Sequence, residues 1–363
     1  MRCSAAVLGA LMLWAAPLSA ETPPAPRGEP LARKVIQNVA RPGYERLAAA
    51  TAALKTEAET FCAAPSAERK IALHAAFETA LLAWSRVEMI RFGPVAQANR
   101  YDRFAFWPDE KGLGLKQIGV ALAARDETAA APETLRAKSV ALQGFTALEF
   151  LLYGAGAEAL STTGEDGRFR CRFAAAIAAN LAALAVEVRI AWEDDTGFAD
   201  GLLNPKPEHP VYKSSRDVKL ELFKTFITGL QHLRDVKLAR VLADNPQNAQ
   251  PKRAPYWRSG LTLKVMQANI EALETYFNRG GYFELLSKLA PGVEKSVALD
   301  LAEMRKNVQA LGAAPVEMVV KSKDGWGRLN SVLFELVTVQ QTGGGAIARA
   351  SNISIGFNAL DGD

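Results

Sequence analysis

The sequence predicts an all-α protein, two packed helical bundles of the up-down, four-helix-bundle-like kind. Apolar residues recur at three- and four-residue spacing in alanine-rich segments at 35–62, 67–91, 132–154 and 169–194. The pattern returns at 215–243, 257–279, 293–311 and 326–341. Strand-like alternation is scarce, since 316–320 and 353–357 are too short to build a sheet. The longest Gly/Pro-rich stretch between helices, 197–210 (G-F-A-D-G-L-L-N-P-K-P-E-H-P), falls near the middle of the chain. It is the expected junction between an N-terminal bundle at 31–196 and a C-terminal bundle at 211–363.

The chain opens with a basic Arg2, an apolar run at 5–16 and a small-residue exit at Ser19-Ala20. This pattern predicts a secretory signal peptide over 1–20, cleaved after Ala20. The run is too short and wrongly flanked for a stable membrane span, so none is expected after cleavage. Cys3 precedes the apolar run, the wrong side for lipid attachment. An exported, periplasmic protein is expected. Residues 21–30 (E-T-P-P-A-P-R-G-E-P) read as a Pro-rich tether.

The 363 residues carry 43 Lys and Arg against 39 Asp and Glu, a net charge of +4. Losing 1–20 removes Arg2 and no acid. Such a balance, without a dense basic patch, gives no case for nucleic acid. Cys62 and Cys171 remain after maturation. In an oxidising compartment they either pair, worth about 4–5 kcal/mol in the chain-entropy model, or stay as buried thiols.

Helix boundaries follow local chemistry. Pro65-Ser66 separates the first two helices, with Ser66 as N-cap. Loops are expected at 162–167 (T-T-G-E-D-G) and 244–255 (D-N-P-Q-N-A-Q-P-K-R-A-P), and T-G-G-G at 342–345 reads as a helix stop.

The segment 140–154 (V-A-L-Q-G-F-T-A-L-E-F-L-L-Y-G) is apolar on nearly every side, interrupted by Glu149. At helical spacing Glu149 shares a face with Leu142, Phe145, Thr146, Leu152 and Tyr153. A buried carboxylate must find a cation, accept strong hydrogen bonds or hold a proton. Such a group is either structural or part of a site. The loop at 91–114 is the other unusual stretch. It combines Tyr101, Phe104, Phe106 and Trp107 with Arg100, Arg103, Asp102 and Asp109. Long loops of this kind fold against something and are often functional. It follows a helix on which Trp84, Glu88 and Arg91 share a face.

W-S-R-V-E-M-I-R-F-G-P (84–94), F-W-P-D (106–109), Q-G-F-T-A-L-E-F-L-L-Y-G (143–154) and the terminal G-F-N-A-L-D-G-D (356–363), in this order, resemble the imelysin-like family. The resemblance implies an exported protein of two packed helical bundles. It also implies a role in bacterial iron uptake, as an iron- or metal-binding protein or as an accessory to an outer-membrane or periplasmic uptake partner. The family has also been classed as metallopeptidases. Its usual signature, Gly-x-His-x-x-Glu, supplies the proposed metal ligands. Gly144 and Glu149 match it, but Thr146 stands at the histidine position, and a hydroxyl replaces imidazole poorly on zinc or iron.

Conventional zinc proteolysis is not expected, because His74, His209 and His232 form no H-E-x-x-H. Neither a phosphate-binding G-x-x-x-x-G-K-[ST] nor a G-x-S-x-G elbow is present. Three readings of Glu149 stay open. One is an all-oxygen site of Glu88, Asp109 and Glu149 for iron or another divalent or trivalent cation, with Thr146 orienting a carboxylate. A second is an ion pair of Glu149 with Arg91 or Arg103. The third is a cleft for a small anionic or organic ligand, built from Arg91, Arg103, Trp107, Thr146 and Glu149.

Overall fold

The computed structural model describes residues 29–162 and 164–353. The expected signal peptide, most of the tether and the motif at 356–363 lie outside the described residues. Within them every regular element is helical, as the periodicity predicts.

Helix Arg41–Ala63 packs along Ala67–Ser85 and along the 29-residue helix Glu165–Glu193, on which Gly144–Tyr153 also rests. Buried Ala174, Ala178 and Ala185 let the long helix come close to its neighbours, while Phe173, Ile177, Leu181 and Trp192 fill the space between. Glu165 and Asp166 in its first turn suit the positive end of the helix dipole. A disulfide between Cys62 and Cys171 ties this helix to Arg41–Ala63. Ser66 caps Ala67–Ser85 as its position predicts, its hydroxyl accepting from the Arg69 amide at 3.2 Å.

A second set follows. Ser215–Gln231 packs on Thr262–Arg279, which packs on Val293–Gln309, which in turn packs on Lys323–Val339. Thr262–Arg279 also lies against Ala67–Ser85, so one apolar core runs through both sets.

The structure departs from the periodicity where special backbone is needed. The expected helix at 132–154 is broken into Pro132–Leu135, a 3₁₀ turn Val140–Leu142 and the helix Gly144–Tyr153. Gly144 has φ +80°, and a β-carbon there would lie 2.4 Å from the Phe104 carbonyl oxygen and 2.7 Å from that of Arg103. Only glycine allows both the backbone angle and this close approach of the loop. The helix expected through residue 91 stops at Ser85, and the chain turns so that Glu88 points inward. T-G-G-G at 342–345 does not stop a helix. It lies in a π-helical turn, Gln340–Gly344, that runs on into Gly345–Ala350. A β-carbon on Gly343 or Gly344 would come within 2.7 Å of Val297 or Ile227, so these glycines serve close helix packing. Another π-helical segment, His232–Ala239, interrupts the helix expected over 215–243.

Candidate functional site

Glu149 is 3% exposed. Its partner lies 110 residues along the chain: one carboxylate oxygen accepts from the Ser259 backbone N–H at 2.9 Å and from the Ser259 hydroxyl at 2.8 Å. That hydroxyl also lies 3.0 Å from the Tyr256 carbonyl oxygen. A hydroxyl has one proton to give, so at any moment it donates either to Glu149 or to Tyr256. Burial pushes the Glu149 pKa up, opposed by the Ser259 hydrogen bonds and the Arg258 charge.

The residues expected to join Glu149 divide into two groups. Thr146, Trp107 and Asp109 line the same cavity as Glu149. The Thr146 hydroxyl donates to the Phe106 carbonyl oxygen at 3.3 Å and so fastens the loop. Asp109 accepts from the Leu113 and Gly114 amides at 2.7 and 2.8 Å, closing the start of Leu113–Ala124.

Glu88, Arg91 and Arg103 lie elsewhere. Glu88 is buried in an ion pair with Lys237, and Asn269 bonds both partners, at 2.6 Å to the carboxylate and 2.7 Å to the ammonium. Burial lowers the Lys237 pKa, with Glu88 opposing. Arg91 lies 4.5 Å over the Tyr101 ring and 3.1 Å from His232 Nδ1. Burial and the charges of Arg91 and Lys237 hold His232 well below the usual imidazole range. Arg103 donates to the Gln143 side chain at 3.4 Å. Glu149 therefore forms its bonds with Ser259, and the expected pin to Arg91 or Arg103 is absent.

Nor do the residues fit the all-oxygen cation site. Glu88, Asp109 and Glu149 are committed to an ammonium, two amides and a serine respectively. Among the described residues no group of three or more His, Cys, Asp or Glu is placed to hold a metal ion. The Thr146 hydroxyl is turned to a backbone carbonyl.

The cavity itself measures about 600 Å³. One wall is the loop and the Glu149 helix, with Phe106, Trp107 and Thr146; the other is the segment 252–258 together with Arg240. This second wall joins the end of the loop expected at 244–255 to residues 256–258, because the helix expected from 257 begins only at Thr262. Lys252, Arg253 and Arg258 alternate there with Tyr256 and Trp257. The Arg258 guanidinium lies 4.6 Å from the Trp257 ring and 5.6 Å from the Phe150 ring, and the Lys252 ammonium 5.5 Å from the Trp257 ring. Arg240 is paired with Glu110. Among the described residues Lys252, Arg253 and Arg258 form no ion pair with a carboxylate. The P-K-R-A-P-Y-W-R run, cations interleaved with aromatics, was the signal available in the sequence.

The all-helical fold places the chain in the imelysin-like class of protein. The chain belongs to the imelysin family, whose model matches residues 40–342. An imelysin-like protein from Psychrobacter arcticus 273-4 superposes with a TM-score of 0.74 at 16% identity, over 90% of this chain and 96% of that one. A Parabacteroides distasonis ATCC 8503 protein described as an iron-regulated protein A precursor gives 0.72 at 14% identity, over 88% and 94%. At such identities the likeness is one of fold. No curated protein matches the chain.

Proposed function

We propose that this chain is an exported, periplasmic binding protein that serves bacterial iron acquisition and takes an anionic organic ligand between the Glu149 helix and the 252–258 segment. The observation that carries this reading is the set of three cations, Lys252, Arg253 and Arg258, at the cavity without carboxylate partners. The carboxylates that also line the cavity are engaged elsewhere, Asp109 by two amides, Glu110 by Arg240 and Glu149 by Ser259. Cations without an ion-pair partner favour an anion, and guanidinium groups recognise carboxylates in a bidentate manner. Trp107, Trp257 and Phe106 add apolar faces for the organic part of the ligand.

The link to iron is supported by family membership and by the iron-regulated description of the Parabacteroides distasonis neighbour. A disulfide between Cys62 and Cys171 suits an oxidising compartment. In this reading the cavity holds an anionic ligand or iron chelate and presents it to an uptake partner.

Titration of the purified protein with ferric citrate and with salicylate, followed by tryptophan fluorescence, tests the reading. One saturable site is expected for at least one probe, with affinity falling about tenfold or more in Arg258→Gln. Equal binding by Arg258→Gln and wild type, or no saturable binding of either probe, overturns it.

A further inference from the structure

A second cavity, of about 420 Å³, lies where the two helix sets meet. The π-helical turn Ile36–Ala40 contributes Gln37 and Asn38, and the start of Arg41–Ala63 contributes Pro42 and Arg46. Arg86 follows Ala67–Ser85, while Thr262–Arg279 supplies Glu271, Thr275 and Arg279. None of these residues belongs to the Glu149 cavity.

Three arginines face one carboxylate here, and that carboxylate is already engaged. Glu271 accepts from Arg86 Nε and Nη2 at 3.0 and 2.7 Å through one oxygen, and from the Gln267 amide at 2.9 Å through the other. Arg86 is thereby fixed in place. The side chains of Arg46 and Arg279 form no ion pair among the described residues. Partial burial and the charges of Arg86 and Arg279 push the Arg46 pKa down, opposed by Glu45. Crowding of like charge costs stability unless an anion relieves it.

The lining is mostly polar, Val39, Pro42 and Ala272 apart, and holds no aromatic side chain, unlike the Glu149 cavity. Asn38 is held by its amide N–H donating to the Arg279 carbonyl oxygen at 3.0 Å, which joins the π-helical turn to the end of Thr262–Arg279.

We infer that this cavity is a phosphoryl-binding site, in which Arg46 and Arg279 hold a doubly charged phosphate group beside the Glu271-paired Arg86. Guanidinium forks match phosphate oxygens, and two unpaired ones, Arg46 and Arg279, balance a dianion better than a monovalent carboxylate. The volume exceeds what a bare phosphate fills, which favours a phosphate monoester whose organic part occupies the remainder.

Calorimetric titration of the intact mature protein with inorganic phosphate and with glycerol 3-phosphate, against chloride at equal ionic strength, tests this. A saturable site is expected that is weakened about tenfold or more in Arg46→Gln and in Arg279→Gln. Tighter binding of glycerol 3-phosphate assigns the site to an ester; equal binding assigns it to free phosphate. Both arginines are exposed, so the variants are expected to melt within a few degrees of wild type without ligand. Arg46→Lys, which keeps the charge and loses the fork, is expected to bind with intermediate affinity. No binding beyond the chloride control, or binding indifferent to Arg46 and Arg279, overturns the proposal. Arg258→Gln serves as the separate reporter for the Glu149 cavity, so failure at one site is distinguishable from failure at the other.

Discussion

Glu149 takes its hydrogen bonds from Ser259, and this sets how it responds to pH. Its folded pKa lies above the ordinary glutamate range because burial outweighs the Ser259 hydrogen bonds and the Arg258 charge. The folded state therefore keeps this proton to higher pH than the unfolded chain does. The resulting stabilisation is fully present below the unfolded pKa and is lost as pH rises through the raised folded value. Glu149→Gln cannot titrate. The urea stability of wild type minus that of Glu149→Gln is expected to fall as pH rises from the ordinary glutamate range towards neutrality. A constant difference across that range would show that burial does not raise this pKa. The need for a buried, satisfied Glu149 was legible in the apolar run around it. Ser259 was not, because nothing local in a sequence couples positions 110 residues apart.

At the scale of elements, Lys237 fastens the π-helical segment His232–Ala239 to Glu88 and, through Asn269, to Thr262–Arg279. Removing one member of a buried ion pair leaves the other charged and unsolvated. Lys237→Met is expected to lower unfolding free energy by about 3–5 kcal/mol, whereas Lys237→Met with Glu88→Leu returns to within roughly 1–2 kcal/mol of wild type. Chemical denaturation measures both, and a double variant as weak as the single one would refute the pairing account. Sequence periodicity located the long helices because each buries one regular stripe. It carried the pattern straight through 86–91 and through Gly144, where the decisive facts are a distant lysine and a left-handed backbone angle. Periodicity records neither.

For the whole molecule, the disulfide is a covalent tie set into the core, with Cys171 buried and Cys62 packed against it. Replacing Cys62 and Cys171 together by serine is expected to lower stability by up to about 4–5 kcal/mol, with reductant producing a similar loss in wild type. Urea unfolding with and without reductant measures this, and identical midpoints would refute it. The class of fold and one wall of the Glu149 cavity were readable from apolar spacing and from the aromatic loop. The opposite wall was not, since its cations gain meaning only when the second helix set folds against the first.

The covalent path adds a consequence. The ring closed by Cys62 and Cys171 encloses Phe106, Trp107, Thr146 and Glu149, while Lys252, Arg253 and Arg258 lie outside it. One jaw of the cavity is thus locked into a cyclic stretch of chain, and the other hangs from an open one. A single backbone cut in the exposed stretch 206–208 would put the two jaws on separate polypeptides. Only packing would then join them, and a ligand held between the jaws would act as the rivet.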